Sequence, residues 1–475
     1  MKKIFQVVAA LLILSSILLT GCATTAPETQ PEVEEEAAPA EEESAEEAAE
    51  EEAAEEELPS VTLHFSGWTY DLETVMDNIE KFKVWVATEA DPPMNVEIEW
   101  SDAGYGEFDT HVTTTNAAGN EFDVVYSSDH WLAKWAAAGW VLPLEDYWPG
   151  VTDYVADIAP YSVEAMTYDG KLYGLPYYTD VMYFFYNKQM LADAGIEAPP
   201  QTWAEVTEQS LVLLEEGITD APVMFGLAAD SWFDEAFYTL AYSQGATFFD
   251  EDHNVAFDVD SGPVYEMVEW LAAAMNDHGI MPQRVLEMDA VAVQEAFKAG
   301  DTAFVILPGY MVRELNLEGL SDVAGDAEVA MMPGTTHETD GYSRMYLLGS
   351  GAVESEDKLQ AAIHLIEFMG GKTTMDGEEG YHVAKRWAVQ NGLGFSVLSL
   401  WEDPEVDEAF SKMADPDIMK AQKEIARSKS GMNAPWFSEW ISFVRTETQK
   451  AILRQNTTEA TLQSIADYWN DLKSE

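Results

Sequence analysis

Apolar and polar positions alternate along this chain in two rhythms. "VTLHFSGW" (61–68) is a short apolar-rich run, "NVEIEW" (95–100) alternates strictly, and "FDVVYSS" (122–128) forms a third run. Each predicts a strand, since residues two apart on an extended chain share a face. "DHWLAKWAAAGWVLPL", which follows the third run, predicts a short helix closed at Gly139. Strand followed by helix, repeated, predicts an open α/β sheet with parallel strands. In such sheets ligands sit beyond the carboxyl ends of the strands. Those ends carry Trp68 and Tyr70 after the first run, and Ser127, Ser128, Asp129 and Trp131 after the third. A Ser-Asp pair there also makes an ordinary helix N-cap, so both roles stay open.

A second α/β unit follows. "MLADAGIEAPPQTWAEVTEQSLVLLEEG" predicts a helix ending near Gly195, a Pro-Pro turn, and a helix capped by Thr202 with Glu205 at the capping-box spacing. "VMFGLAAD" (223–230) predicts a strand that ends at Asp230, Ser231 and Trp232. "AVQEAFKAGDTAFVILPGYMVREL" (292–315) predicts helix, turn, strand, a Pro-Gly break and a helix. "MYLLGSGAV" (345–353) predicts one more strand, and the remainder to Glu475 has helical spacing. Between the two units lies "GKLYGLPYYTDVMYFFYNK" (170–188), dense in tyrosine with a single carboxylate, Asp180. A core strand has little use for phenol groups that each need a hydrogen-bond partner, whereas a cleft for an amphipathic ligand does.

The N-terminus changes the picture of where such a body works. Lys2 and Lys3 precede an apolar run from Phe5 to Leu19, the length of a signal-peptide core and too short for a spanning helix. It ends in "LTGC", and Cys22 is the single cysteine of the 475 residues, so no disulfide can form within the chain. A small residue before a lone cysteine resembles a bacterial lipoprotein cleavage site, which implies acylation at Cys22 after removal of residues 1–21. From Glu28 to Glu57 there are sixteen glutamates and no basic residue. Like charges at i,i+4 and the lack of an apolar stripe oppose helix there, so residues 22–57 are expected to form an extended tether ahead of a body beginning near Leu58. The formal charge of the whole chain is −63. A surface so acidic makes nucleic acid an improbable partner and slows anionic solutes. The eight histidines are scattered and no Gly-rich phosphate loop or Cys/His spacing is present, so neither a cofactor nor a metal is expected.

Several segments together resemble the family 1 extracellular solute-binding proteins of bacterial ABC importers, the group that includes maltose-binding protein. "FDVVYSSDHWLAKWAAAGWVLPLEDY" is similar to the family's strand, ligand-facing turn and helix. "DGKLYGLPYYTDVMYFFYNKQMLADAGIEAPPQTWAEV" carries its Gly-Lys-Leu-Tyr-Gly-Leu-Pro hairpin, Tyr-Asn-Lys and Pro-x-Thr-Trp helix start. "FKAGDTAFVILPGYM", "MMPG", "APWFSEWISFVRTETQKAI" and "TTEATLQSIADYW" are similar to later segments, so the likeness runs over residues 60–472. It implies two α/β lobes closing over a ligand by a hinge. The expected division is 58–176 and 306–343 in the first lobe, 177–305 and 344–475 in the second. It also implies that Tyr177, Tyr178 and Asp180 face the ligand while Met182, Phe184 and Tyr186 turn to the core. Trp68, Trp131, Trp232, Tyr310 and Trp436 become candidate stacking platforms. Two places depart from the family pattern. Pro308-Gly309-Tyr310 stands where many members carry Gly-Ser-Trp, and Tyr342 and Arg344 stand just before a strand where relatives often have a glycine-rich turn. Arg344 would meet either an acidic group on a sugar or one of the chain's own carboxylates.

The function this implies is a membrane-anchored, extracytoplasmic receptor that captures a sugar or oligosaccharide and delivers it to an ABC permease, without catalysis. Another polar solute, such as a polyol, a glycerol phosphate diester or an osmolyte, would use the same fold. A surface glycosidase would need two carboxylates at a defined separation across one cleft, and no nucleophile–base pair stands out.

Overall fold

The computed structural model describes residues 58–375 and 377–474, with the side chain of Ser231 set aside. The apolar N-terminal run, Cys22 and the acidic tract fall outside these residues. Eight strands organise the fold: β1 (Ser60–Trp68), β2 (Asn95–Ala103), β3 (Val124–Ser128), β4 (Gly174–Asn187), β5 (Val223–Met224), β6 (Phe304–Pro308), β7 (Ala327–Ala330) and β8 (Thr339–Gly349). The helices that bear on the site are α1 (Leu72–Thr88), α2 (Tyr105–Ala117), α3 (Asp129–Ala137), α4 (Ser231–Ser243), α5 (Glu356–Gly370) and α6 (Phe437–Ile452).

β1 lies between β2 and β3, all parallel, as the sequence pattern predicts. β3 then pairs antiparallel with β8, β8 with β4, and β4 with β6, which carries β5 at the far edge. With β7 on the distal end of β4 and two short strands, Val141–Leu142 and Ala426–Arg427, on β8, this makes one ten-stranded sheet. β4 and β8 are almost entirely buried along their length, which explains why neither shows clean alternation in sequence.

The sheet is continuous but the apolar interior is not. One core gathers Leu63, Phe65, Phe108, Val124, Tyr126, Trp135 and Leu175, with Tyr346, Leu347, Leu365, Phe368 and Trp387. The other gathers Val181, Phe184, Trp203, Phe225, Tyr238, Leu271, Ile306, Leu315, Tyr342, Phe410, Trp440 and Trp469. This distribution differs from the expected division. Residues 306–343 pack in the second core, because β6 pairs with the second-lobe half of β4, Met182 to Tyr186. Residues 345–369 pack in the first, because β8 runs back beside β4 and delivers α5 to the sheet's first half, and the segment 381–393 then touches both cores, with Val383, Trp387 and Leu393 in the first and Tyr381, Ala384 and Ala388 in the second. The chain returns to the second core between Leu393 and Phe395. Three segments therefore cross between lobes.

Two other expectations change in detail. Only Val223–Met224 of the segment 223–230 is strand; beyond it Leu227 N and Ala228 N donate to Val285 O and Met288 O of a loop, which ends the ladder. The strand expected at 345–353 instead spans Thr339–Gly349, so Tyr342 and Arg344 lie within it, not before it. The predicted helix closed by Gly139 and the Thr202 cap, accepting from Glu205 N at 3.2 Å, are present.

The crossings are pinned by one carboxylate. Asp180 is 1% exposed; its Oδ1 accepts from Val181 N at 2.9 Å and its Oδ2 from Tyr310 N at 2.8 Å. A Cβ on Gly309 or on Gly394 would overlap the Asp180 side chain, so these two positions admit only glycine without a shift. Gly394 O also accepts from Thr179 N at 3.2 Å, and Lys423 Nζ donates to Phe395 O at 2.8 Å. Burial lifts the Asp180 carboxyl to about 6, opposed by Lys423 and the two backbone N–H groups, and burial lowers Lys423 to about 8. Asp180→Ala removes the counter-charge of a buried lysine and leaves Tyr310 N unpaired, and is expected to cost at least about 3 kcal/mol of unfolding free energy in urea melts. Gly309→Ala is expected to cost about 1–3 kcal/mol through overpacking against the same carboxylate.

Candidate functional site

Where β4 and β8 pass between the cores, they do not pair evenly. Arg344 stands opposite Tyr178 and Met345 opposite Pro176, so Tyr177 is the extra residue of a bulge. The bulge sends the two neighbouring tyrosines different ways. Tyr177 enters the first core, stacked on Tyr126 at 4.8 Å and edge-on to Trp387 at 5.6 Å. Tyr178 stays between the cores, edge-on to Tyr310 at 6.4 Å and Tyr342 at 6.3 Å.

Tyr178 is one wall of a cavity of about 290 Å³, lined also by Trp68, Thr69, Tyr70, Tyr105, Trp232, Glu235, Tyr310, Arg344 and Leu393. Several wall residues come from element ends. Trp68 closes β1, Tyr105 opens α2, and Tyr310 follows the Pro308 break after β6. Trp232 and Glu235 lie one turn apart on α4, whose N-cap Asp230 accepts from Trp232 N at 2.9 Å. Aromatic surface thus comes from both cores, with Trp68 and Tyr105 on one side and Trp232 on the other. Two larger grooves, of about 720 and 910 Å³, lie elsewhere. The first follows the β7 edge, and the second has Glu164, Asp169, Asp250 and Glu251 on its rim. The smaller cavity is the one lined by both β4 and β8, and it is where a hinge would close.

Behind the cavity sits a group of buried charges. Asp129, at the start of α3, has Arg344 Nη1 at 3.3 Å and Lys429 Nζ at 3.7 Å. Lys429 also reaches Glu235 at 3.5 Å and Asp340 at 2.8 Å, and Arg344 Nη2 lies 3.9 Å from Glu235. All five side chains are at most 4% exposed. The group spans the cleft, since α3 packs in the first core and α4 in the second. A hydrogen bond from Ser438 Oγ on α6 to His130 O, 2.9 Å, spans it as well. Burial alone would raise the Asp129 carboxyl, but Lys429, a hydrogen bond from His130 and Arg344 hold it well below the usual range. Burial raises Asp340 to about 8, with Glu235 and Asp129 adding to the effect and Lys429 opposing it. Burial lowers the His130 imidazole. At neutral pH Asp129 is therefore held ionised beside Lys429 and Arg344, while Asp340 holds a proton beside Lys429.

Six of the twelve residues singled out from the sequence line the cavity: Trp68, Tyr70, Tyr178, Trp232, Tyr310 and Arg344. Ser128 and Asp129 lie just behind it, where Ser128 Oγ receives the Tyr105 hydroxyl at 3.2 Å and donates to Asp129 at 2.9 Å. Four others point elsewhere. Tyr177 is core, for the reason given by the bulge. Asp180 spends its oxygens on backbone N–H groups and does not line the cavity. Trp131 packs on Trp135 at 5.5 Å inside the first core. Trp436 packs on Trp469 at 5.6 Å and lines the 910 Å³ groove. Thr69, Tyr105, Glu235 and Leu393 were not singled out. Glu235 sits one helical turn after Trp232, and Tyr105 follows the end of β2 as Tyr70 follows β1, so both carry a positional signal. Among the described residues no group of His, Cys, Asp and Glu is placed to hold a metal, and no helix is long and apolar enough to cross a membrane.

The sequence profile of the bacterial extracellular solute-binding proteins matches residues 75–375. A binding protein of Brucella abortus (strain 2308) is 23% identical over 247 residues, 52% of this chain and 58% of that protein, so the chain matches little more than half the length of that relative. An arabinooligosaccharide-binding protein of Halalkalibacterium halodurans is 24% identical over 327 residues, 67% of this chain and 68% of the relative. The solved structure of maltose-bound T. maritima MalE3 superposes with a TM-score of 0.71 over 87% of this chain and 100% of that one, at 20% identity, which establishes the two-lobe fold. These relatives are binding proteins and not enzymes. With the profile covering more than half of its length, this chain belongs to the bacterial extracellular solute-binding proteins.

Proposed function

We propose that this protein is the extracytoplasmic, lipid-anchored receptor of an ABC importer, and that it captures a carbohydrate, a sugar or polyol, and hands it to the permease. The observation that carries this reading is the aromatic cavity between the two cores. Flat rings suit the C–H faces of a sugar ring, while phenol groups, a carboxylate and a guanidinium suit its hydroxyls. Trp68, Tyr70, Tyr105, Tyr178, Trp232, Glu235, Tyr310 and Arg344 would make the contacts, with Ser128 and Asp129 supporting them from behind. The sugar-binding relatives support the ligand class. The anchor rests on "LTGC" and the lone Cys22, and the acidic tract would act as the spacer that lets the body reach its permease.

Ligand capture is tested by a thermal-shift screen of sugars and polyols on residues 58–475. A ligand at 100 times its Kd raises stability by about 2.7 kcal/mol. Trp232→Ala, half-buried at the cavity wall, is expected to weaken the best ligand about tenfold or more by calorimetry while leaving the melting temperature nearly unchanged. Undiminished affinity in that variant would place the ligand elsewhere. Cys22→Ser is expected to abolish incorporation of labelled fatty acid and to release the protein from membranes; continued acylation would rule out the anchor.

A further inference from the structure

Between the short strand Ala426–Arg427 and the first turn of α6 runs a segment, residues 428–438, that packs in the second core and touches the first lobe. Its hold on the second lobe comes from α4. The Tyr238 hydroxyl donates to Ser430 O at 2.7 Å. The Tyr242 hydroxyl donates to Ser428 O at 2.8 Å and accepts from Ser430 N at 2.8 Å. Glu235, Tyr238 and Tyr242 recur at helical spacing, so one face of α4 serves both the cavity wall and this segment. Gly431 turns the segment at φ 89°, and a Cβ there would overlap the rings of Phe249 and Trp469.

The reach into the first lobe is made by two side chains, near either end of the segment, and both meet the start of α3. Lys429 Nζ lies 3.7 Å from Asp129 Oδ2, and Ser438 Oγ donates to His130 O at 2.9 Å. None of these four residues lines the 290 Å³ cavity. Each side also keeps a pair of its own. Asp129 has Arg344, opposite Ser128 in the β3–β8 ladder, at 3.3 Å, and Lys429 has Asp340 at 2.8 Å and Glu235 at 3.5 Å. The bonds from Lys429 and Ser438 to α3 therefore bear on how the lobes meet more than on how either one folds.

A ligand held between two lobes binds with an apparent affinity scaled by the share of molecules able to close around it. A contact made only with the lobes together raises that share by one factor for every ligand, because it meets none of them. A wall residue such as Trp232 differs, since its loss changes the ranking of ligands.

We infer that residues 428–438 form a closure clasp, in which Lys429 and Ser438 grip Asp129 and His130 across the cleft and set the affinity of the site without touching its ligand. The inference takes from the reading above only that a ligand is held between the lobes.

The test joins calorimetry to a distance measurement on the body 58–475. The panel holds hexoses, pentoses, hexitols and disaccharides. Lys429→Met is expected to weaken every member that binds at least about tenfold, and Ser438→Ala about 2- to 10-fold. The ratio between any two ligands is expected to stay within about twofold of its wild-type value. The body contains no cysteine, so spin labels go on cysteines introduced at the exposed Val84 of α1 and the exposed Val291 of the second lobe. Pulsed electron resonance is expected to show longer distances in both variants than in wild type. A lowered melting temperature with affinities intact, the mark of a segment that only braces the second lobe, would overturn the clasp. So would a loss that falls on some ligands and spares others. Ser438→Ala removes one half-buried hydroxyl and keeps the test decisive where Lys429→Met fails to fold. Heat from no member of the panel would overturn the carbohydrate reading alone. The clasp is then decided on the free body, where distances unchanged in both variants would overturn it too.

Discussion

The antiparallel pairing of β4 with β8 is the contact on which the molecule depends. Both strands are long enough to serve two cores, so one ladder fixes the relation between the lobes and also lines the cleft. A hinge built this way has little freedom to shear, because sliding β8 along β4 by one residue would turn Tyr342 and Arg344 to the opposite face. Motion is left to bending at the bulge and at the third crossing, around Gly394. Asp180 ties Gly309 and Tyr310 to the first of these strands, which makes it a positioning residue for Tyr310 in the cavity wall.

Five ionised or ionisable side chains buried together would be costly if each stood alone, since removing a charge from water costs several kcal/mol after relaxation. Here the cost is offset by mutual pairing, and the arrangement has a geometric effect that an apolar patch would lack. Asp129 comes from one lobe and Glu235 and Lys429 from the other, so the pairing is complete only with the cleft shut. Opening the lobes would part Asp129 from Lys429 and Arg344 from Glu235, the pairs that cross the cleft. Closure and the dry state of the cavity are therefore one event, and a ligand's hydroxyls compete with the water that would otherwise return.

Much of this was legible from the sequence and some was not, for physical reasons. The α/β alternation and the strand ends located Trp68 and Tyr70, since those positions depend only on where strands stop; Tyr310 came with the family resemblance, and Trp232 was read from a strand that in fact stops at Met224. Tyr178 and Arg344 were found through the tyrosine-rich crossing and the departure from the family pattern. Tyr177 was misplaced because alternation fails at a bulge, and a bulge is set by the partner strand, which a single segment does not reveal; Asp180 keeps the alternation of Tyr178, but its oxygens are taken by the N–H groups of Val181 and Tyr310. The lobe boundaries were assigned the wrong way round for residues 306–343 and 345–369 because pairing partners, β6 with β4 and β8 with β4, decide them. Lys429 and Asp340 gave no local signal at all. Their significance comes from meeting Asp129 and Glu235, which lie far away in the chain.

The interior cations also bear on the exterior. The chain has only 24 lysines and arginines against 87 acids, and Arg344, Lys423 and Lys429 are each sunk to a few per cent exposure, with Arg445 drawn to Asp234 at 2.5 and 2.8 Å. Every cation taken inside is one fewer to interrupt the field of carboxylates on the skin. That skin must therefore borrow its neutrality from dissolved counterions, and its self-repulsion rises as the ionic atmosphere thins. The buried cluster and the cleft it seals are shielded from that atmosphere by protein. Dilution would accordingly strain the shell of the molecule before it reached the site.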